Sequence, residues 1–151
     1  MFSAFVAVEG FTLPERFIVK ELTLMFENGE YNHFLFANPT DYVPTSYEET
    51  TIKYTTRNIH GLKYTDGAIP YEKLEEVLSK LHNCDVYCYG LNTTNLIQKY
   101  IPYTPVTDIK NCGFTMPATL PSAECGRFHN GRHCSLVKAQ NIKHFCMLTK
   151  C

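Results

Sequence analysis

The chain has 151 residues, of which 44% are hydrophobic and 19% are charged, and its formal net charge is −1. This length and composition are typical of one globular domain and exclude a disordered or fibrous protein. A net charge near zero also excludes a protein that is basic all over, as many nucleic-acid binders are. We therefore expect a single domain over residues 1–151.

The cysteines and the first residues indicate the compartment. Seven cysteines are present, and Met1–Val8 is apolar but short, without the basic start and cleavage site of a signal peptide. No apolar run approaches the roughly 18 residues that a membrane span needs. We expect an intracellular protein of the cytoplasm or nucleus, with no membrane partner and with cysteines that bind metal more readily than they form disulfides.

The first third of the chain predicts three consecutive strands. Phe2–Phe11 and Phe17–Phe26 are rich in strand-forming residues, and Tyr31–Phe36 follows after the turn Asn28-Gly29. An Asn-Gly pair between two such runs is typical of a β-hairpin. We expect these strands to be antiparallel neighbours.

The rest of the chain predicts alternating helices and strands. Residues 42–58 are polar and Thr-rich, and we interpret them as a loop containing one helix. After Pro70, apolar residues recur at helical spacing, which predicts a helix that ends at Asn83. The later predicted elements are a strand over Asp85–Tyr89, a helix over Thr93–Tyr100, a strand over Val106–Ile109, a Pro-rich loop over Cys112–Glu124 and a helix over Ser135–Met147.

Three strands followed by helix, strand, helix, strand and helix is the order of an RNase H-like fold. We therefore expect an α/β domain of the RNase H-like, exonuclease type, in which a mixed sheet carries helices on its faces.

Charge is unevenly distributed along the chain. From Cys125 onward there is no carboxylate side chain, and the cations are Arg127, Arg132, Lys138, Lys143 and Lys150. This excess indicates a surface that faces an anion, and we predict nucleic-acid contacts by Arg127, Arg132, Lys138 and Lys143. A solvated positive surface is the alternative.

The sequence resembles DEDDh exonucleases at their catalytic positions. Those enzymes carry Asp-x-Glu on the first strand, where this chain has Ala7-Val8-Glu9, and a later Asp near Thr93. Their final His-x-x-x-x-Asp corresponds to His133 through Lys138. In the family the acidic residues hold two divalent ions, whereas here only Glu9 and His133 remain. The resemblance predicts that two-metal exonuclease activity has been lost.

The chain also resembles the Maelstrom domain of the small-RNA pathway, an RNase H-like family that lacks the usual catalytic set and carries a Glu-Cys-His-Cys zinc site. The resemblance lies in Val19–Leu24, Gly29, Tyr31–Phe36 and the run Cys125-x-x-x-His129-x-x-x-x-Cys134. It implies a structural zinc ion bound by Glu21, Cys125, His129 and Cys134. His133 is the rival nitrogen ligand, and Cys112 is the rival sulfur ligand.

Thiolate and imidazole at short spacing suit tetrahedral Zn²⁺, and such a site would add to the free energy of folding. Buried thiols and surface histidines with no metal are the alternative. For Cys84 and Cys88, we favour packing in the core.

Other candidate residues have competing interpretations. For Glu9 we favour the edge of a solvated cleft over a single-ion ligand. Lys138 either holds a phosphate or is an exposed helix lysine, and His133 is either a general base or a neighbour of zinc. Four tyrosines border the expected cleft and would stack on unpaired bases, although we favour a core role for them: Tyr87, Tyr89, Tyr100 and Tyr103.

Three functional hypotheses follow. The first is a catalytically degenerate, zinc-stabilised nuclease-like domain that binds single-stranded nucleic acid, RNA rather than DNA, in small-RNA silencing, antiviral or mobile-element biology. The second is a weak, metal-independent RNA endonuclease. The third is a scaffold for protein partners.

Overall fold

A computed structural model describes residues 2–116 and 134–149, and it shows an α/β domain with one mixed five-stranded sheet. The strand order is β3-β2-β1-β4-β5. The strands are β1 at Phe2–Thr12, β2 at Phe17–Phe26, β3 at Tyr31–Leu35, β4 at Cys84–Cys88 and β5 at Val106–Asp108.

The first three strands form the predicted antiparallel meander. β1 pairs with β2 and β2 pairs with β3, both antiparallel, whereas β4 pairs parallel to β1 and β5 parallel to β4. Gly29 adopts a φ of 93° in the β2–β3 turn, a conformation that glycine reaches without steric cost. The Asn-Gly signal therefore located this turn correctly.

Four α-helices accompany the sheet in the part of the chain that the structure describes. They are α1 at Ser46–Thr55, α2 at Leu74–Leu78, α3 at Leu91–Tyr100 and α4 at Ser135–Thr149. The helix predicted after Pro70 is composite, since 3₁₀ turns at Tyr71–Lys73 and Ser79–Leu81 flank α2. Its periodic apolar residues still face the sheet, and Leu74, Leu78 and Leu81 are almost fully buried.

The helix α1 begins with a complete capping box. The Thr45 hydroxyl accepts from the Glu48 N–H, and the Glu48 carboxylate accepts from the Thr45 N–H. The helix continues into a π turn at Thr56–His60 and ends at Gly61, whose φ is 78°. These local signals explain why a polar segment is helical.

The sheet has a hydrophobic core on each face. Alternate β1 residues take part, because successive strand side chains point to opposite faces. Ala4 and Val6 pack in the core that contains α2 and α3 residues, whereas Phe5 and Ala7 pack in the core that contains α4 residues. Glu9 continues the second series, two residues beyond Ala7, and it is therefore directed toward α4.

Candidate functional site

A cleft of about 330 Å³ opens where β1 and β4 end. These two strands are parallel, and ligands of open α/β sheets commonly bind outside the carboxyl ends of such strands. The lining residues come from the end of β1, the start of α3, the end of the α1 segment and α4: Val8, Glu9, Gly10, Thr12, Phe17, Thr55, Ile59, His60, Tyr89, Gly90, Leu91, Asn92, Thr93 and Lys138.

A β-bulge directly after Glu9 shapes the floor of the cleft. Glu9 pairs with Glu21 on β2, but the next residue, Gly10, pairs with Val19, so one β2 residue is skipped. A Cβ atom at position 10 would lie 2.1 Å from the Ile18 carbonyl oxygen, so only glycine fits there. The bulge ends the regular ladder at the point where Glu9 meets the cleft.

His60 supports the bulge from beneath the cleft. Its Nδ1 lies 2.9 Å from the Leu62 backbone nitrogen and accepts that N–H, so Nε2 carries the ring proton. Nε2 then donates to the Gly10 carbonyl at 3.0 Å, and the ring meets Phe11 edge-on. Because both nitrogens are engaged and the residue is fully buried, we assign His60 a structural role. Sequence reasoning missed it, since no spacing motif marks it.

The central feature of the cleft is an ion pair between Glu9 Oε2 and Lys138 Nζ. The Glu9 side chain is 6% exposed and the Lys138 side chain 21% exposed. Glu9 lines the cleft as expected, but its carboxylate is buried against the Lys138 amine of α4 and is not solvated. The interpretation of Lys138 as an exposed helix lysine was wrong, because its amine points into the cleft.

The structure brings together only some of the residues that stand at the DEDDh catalytic positions. Thr93 is buried and lines the cleft with Glu9 and Lys138. Ala7 is buried under α4 and pairs with Thr23, whereas His133 lies outside the described residues. Within the described lining, Glu9 is the only carboxylate, and an ammonium group faces it. This donor set does not match the oxygen-rich cradle that Mg²⁺ requires.

The cleft continues into a second groove of about 340 Å³ past Thr12, Phe17 and Asn92, which line both. The Asn92 side-chain amide donates to the Thr12 hydroxyl at 3.2 Å across the junction. Beyond it, the groove is lined by Glu15, Arg16, Lys99 and Tyr100, among others. We call this part the Arg16 extension.

Arg16 is held in place by aromatic rings. Its guanidinium carbon lies 5.2 Å from the centre of the Tyr42 ring and 5.8 Å from that of Tyr71. Its ion pair with the exposed Asp41 is long, at 3.6 Å. Cation–π contacts of this kind orient the guanidinium and leave N–H groups to bind an anion.

A second polar cluster fixes the start of α4 to the sheet. Glu21 is fully buried; its Oε1 accepts the Ser135 backbone N–H at 2.6 Å, and its Oε2 lies 3.0 Å from His33 Nε2. The hydroxyls of Thr23 and Ser135 are 2.8 Å apart. A carboxylate at a helix N-terminus also interacts favourably with the helix dipole.

Two of the four zinc ligands implied by the Maelstrom resemblance lie at this cluster. Glu21 binds the backbone of Ser135, the residue after Cys134, and both Glu21 and Cys134 are fully buried. Carboxylate and thiolate are ligand types that Zn²⁺ accepts. Cys125 and His129 lie outside the described residues, and the described residues alone assemble no group of three metal-binding side chains. His33 is a nearby imidazole that sequence reasoning missed.

Cys112, the rival sulfur ligand, is exposed and disulfide-bonded. It therefore offers no thiolate to a metal, and the expectation that the cysteines bind metal rather than form disulfides was wrong for this residue.

The described cysteines other than Cys112 and Cys134 behave as core residues. Cys84, Cys88 and Cys146 are buried, and burial raises the pKa of Cys88 and of Cys146 to about 11. Protonated thiols are poor metal ligands and nucleophiles. The core interpretation of Cys84 and Cys88 is consistent with this burial.

The predicted cationic contacts are separated in space. Lys138 reaches the cleft, whereas Lys143 lies toward the β2–β3 turn, where its Nζ would be 3.8 Å from a Cβ at Gly29. Arg127 and Arg132 lie outside the described residues. Among the described cations, the structure adds Arg16 and Lys99 to the groove, which sequence reasoning did not select.

The four tyrosines divide between the two interpretations. Tyr87 is partly buried and stacks on Phe5 with ring centres 5.9 Å apart. Tyr89 lines the cleft and meets Phe114 edge-on at 5.6 Å, and Tyr100 lines the Arg16 extension. Tyr103 is 95% exposed, so the core interpretation was wrong for it.

No protein-family model matches the chain, and a search of characterised proteins finds no significant sequence match. Within residues 2–116 and 134–149, no helix has both the length and the apolar character needed to cross a bilayer.

Proposed function

We propose that this chain is an RNase H-like, nuclease-type domain that has exchanged two-metal catalysis for binding of single-stranded nucleic acid, RNA rather than DNA. The binding surface is the cleft between the ends of β1 and β4 together with the Arg16 extension.

Two features of the fold support the RNase H-like assignment. An antiparallel meander of three strands precedes two strands that join the sheet parallel to β1, with helices packed on both faces. The residues at the catalytic positions of the DEDDh pattern, Glu9, Thr93 and Lys138, all line one cleft. Positions that are 129 residues apart in the chain (9 and 138) meet there, as that pattern requires.

The Glu9–Lys138 ion pair carries the functional proposal. A cleft lined by several carboxylates repels a phosphate backbone unless metal ions neutralise it. The single described carboxylate of the cleft is matched by an ammonium, so a polyanion meets no net negative charge there and needs no divalent ion. In the Arg16 extension, Arg16 and Lys99 outnumber the one described carboxylate, Glu15. Among residues 2–116 and 134–149, the cleft has no ligand set for hydrolysis by the two-metal route.

The shape of the groove supports an extended ligand. The two grooves, of about 330 and 340 Å³, share Thr12, Phe17 and Asn92, so a ligand can pass from one into the other. Asn92 and Asn95 offer amides, Tyr89 and Tyr100 offer rings for stacking, and Arg16 offers a guanidinium for phosphate. Stacking combined with a few cations is how single strands are bound without sequence preference.

The variant Lys138→Asp tests this proposal. It places two carboxylates in the cleft, so binding of a fluorescently labelled single-stranded oligoribonucleotide should weaken by about tenfold. Added Mg²⁺ at constant ionic strength should restore part of the affinity to the variant and change nothing in the parent protein. Fluorescence anisotropy at low salt measures both effects.

Lys80→Gln is the matched control, because Lys80 lies away from the cleft, over the Phe34 ring. It should bind like the parent. If the parent fails to bind single-stranded RNA or DNA at low salt, or if Lys138→Asp binds as well as the parent does, the proposal is wrong.

We also propose a structural zinc ion at the start of α4, held by Glu21, Cys134, Cys125 and a histidine, His129 or His133. The ion would supply no chemistry to the cleft; it would tie the residues before α4 to β2. Elemental analysis of the purified chain should find one equivalent of zinc, and Cys134→Ser should lose it. Metal-free protein with unchanged stability contradicts this site.

The second hypothesis, a metal-independent RNA endonuclease, now depends on His133, because His60 in the cleft has both nitrogens engaged. Incubating RNA with the protein and a chelator separates binding from cleavage. Cleavage that disappears in His133→Ala would support the enzyme.

A further inference from the structure

A separate groove of about 600 Å³ lies on the other side of the α1 segment. Thr55, Ile59 and His60 of this segment face the cleft, whereas Ile52, Lys53, Thr56 and Arg57 line the second groove. The opposite wall is formed by Lys63, Tyr64 and Thr65, and Pro44 and Glu49 complete the lining. We call this the α1 groove.

Three exposed cations line the α1 groove. Lys53 and Arg57 are four residues apart and therefore lie on the same side of the helical segment, and Lys63 lies across the groove from them. Among the described lining residues, Glu49 is the only acidic one, and it lies four residues before Lys53. Within the part of the chain that the structure describes, none of the three cations forms an ion pair with a carboxylate.

Structural needs account for only part of this arrangement. The helix dipole favours a cation in the last turn of a helical segment, which suits Lys53 at the end of α1 and Arg57 in the π turn. Two like charges at this spacing, however, destabilise a helix. Lys63 belongs to the loop after Gly61, beyond any helix end, and its side chain adds a third positive charge to the same space. A bound anion would relieve the repulsion among all three.

The floor of the groove is apolar, and its walls are held firmly. Ile52 is buried and belongs to the core, and the Tyr64 ring packs on Phe11 with centres 5.7 Å apart. The fully buried amine of Lys20 donates to the carbonyl oxygens of Tyr64, at 2.7 Å, and of Asp66. The loop is thus fixed from beneath, and binding would cost little ordering of the backbone.

The opposite wall carries a π turn, Thr56–His60. Such turns are rare, and they occur frequently at functional sites. Here the turn lies between the cleft and the α1 groove, so it contributes residues to both.

We propose that the α1 groove binds a nucleoside monophosphate, with the phosphate between Lys53, Arg57 and Lys63 and the base over the apolar floor. The volume falls within the range of small-ligand sites, and a ligand with one anionic end and one flat apolar end complements the lining. The nucleotide is either free or the phosphorylated end of a strand. This site is distinct from the cleft and does not depend on it.

Isothermal titration calorimetry with adenosine, guanosine, cytidine and uridine 5′-monophosphates tests the proposal. At least one should bind, and inorganic phosphate or the matching nucleoside alone should bind at least tenfold more weakly. Arg57→Gln and Lys63→Gln should each weaken nucleotide binding by about tenfold, the effect of one lost charge-assisted hydrogen bond. Lys80→Gln is the control and should bind like the parent.

A stability measurement distinguishes a binding role from a structural one. Because the cations repel one another, Arg57→Gln should melt no lower than the parent protein while binding the nucleotide more weakly. Oligonucleotides with a 5′-phosphate, a 3′-phosphate or neither separate a strand end from a free nucleotide, and either result is consistent with the site. Equal binding of inorganic phosphate, no binding of any nucleotide, or unchanged affinity in both variants would overturn it.

Discussion

Three buried charged groups, Glu9, Lys20 and Glu21, define the chemistry of this domain at the scale of single residues. Each meets a specific partner: Lys138 faces Glu9, backbone carbonyls accept from Lys20, and His33 and a backbone N–H contact Glu21. Charged side chains lose much hydration free energy on burial, so they remain in a core only with such partners. Removing a partner is therefore informative.

Lys138→Met is expected to destabilise the protein by about 3 kcal/mol, because it leaves the Glu9 carboxylate buried without its cation. The double variant Glu9→Gln/Lys138→Met should recover most of that loss. Urea unfolding of the parent, both single variants and the double variant gives the coupling energy. Additive effects would show that the ion pair does not contribute to stability.

The free energy of unfolding should depend on pH through Lys20, because burial lowers its pKa from 10.5 to about 8. Below about pH 8, Lys20 is protonated in both the folded and the unfolded protein, so the folded state bears the full cost of burying its charge. Between about pH 8 and 10.5 only the unfolded state holds the proton, so this group's contribution makes the folded state more stable as pH rises.

Lys20→Met isolates that contribution. The buried thiols of Cys88 and Cys146 act in the opposite sense above pH 9, because burial raises their pKa to about 11. The difference in unfolding free energy between parent and variant removes their effect. The unfolding free energy of the parent should rise relative to that of Lys20→Met between pH 7 and 10. A difference that stays constant over this range would show that the pKa of Lys20 is not lowered by burial.

At the scale of elements, α4 decides how the cleft is closed. It packs on β1, β2 and β4, and its first turn is attached to β2 by Glu21 and Thr23. The same helix carries Lys138 one turn later. The position of the amine in the cleft therefore depends on the attachment of the helix start, about one turn away.

Glu21→Gln is expected to loosen α4 selectively. It keeps the size of the side chain but removes the charge that accepts from Ser135, at a cost of roughly 1.5–3 kcal/mol. Amide hydrogen exchange should accelerate in α4 and remain unchanged in α3. Thr50→Ala, at an exposed α1 position, serves as the control. Uniform acceleration across the chain would instead indicate global destabilisation.

At the scale of the whole molecule, the cleft and the Arg16 extension differ in charge. The cleft holds a self-neutralised pair, whereas Arg16 and Lys99 line its extension. Binding of a strand along this path should therefore depend on salt mainly through the extension, although the net charge of the chain is only −1.

The salt dependence of RNA affinity measures that difference. Each phosphate contact contributes about −0.7 to the slope of log affinity against log salt for a single strand. Arg16→Gln/Lys99→Gln should reduce the slope by about 1.4, whereas Glu9→Gln/Lys138→Gln should leave it nearly unchanged. The reverse pattern would place the strand elsewhere on the surface.

The sequence by itself determined the sheet and most of its helices. Local signals suffice for such elements: strand-forming runs bounded by Asn28-Gly29, and helical spacing after Pro70. It also selected Glu9, Glu21, Thr93, Cys134 and Lys138, all of which lie at the cleft or at the start of α4. These five residues were selected through the resemblance to the DEDDh and Maelstrom patterns, whereas periodicity located only the strands and helices that carry them.

Only the tertiary structure decided what those residues do. Contacts between residues far apart in the chain bury Glu9 against Lys138. A contact of the same kind places His33 against Glu21. The roles of Lys20, His60 and the α1 groove likewise arise where separate segments pack together. Burial and charge pairing are properties of the packed molecule, and no local pattern of residue types specifies them.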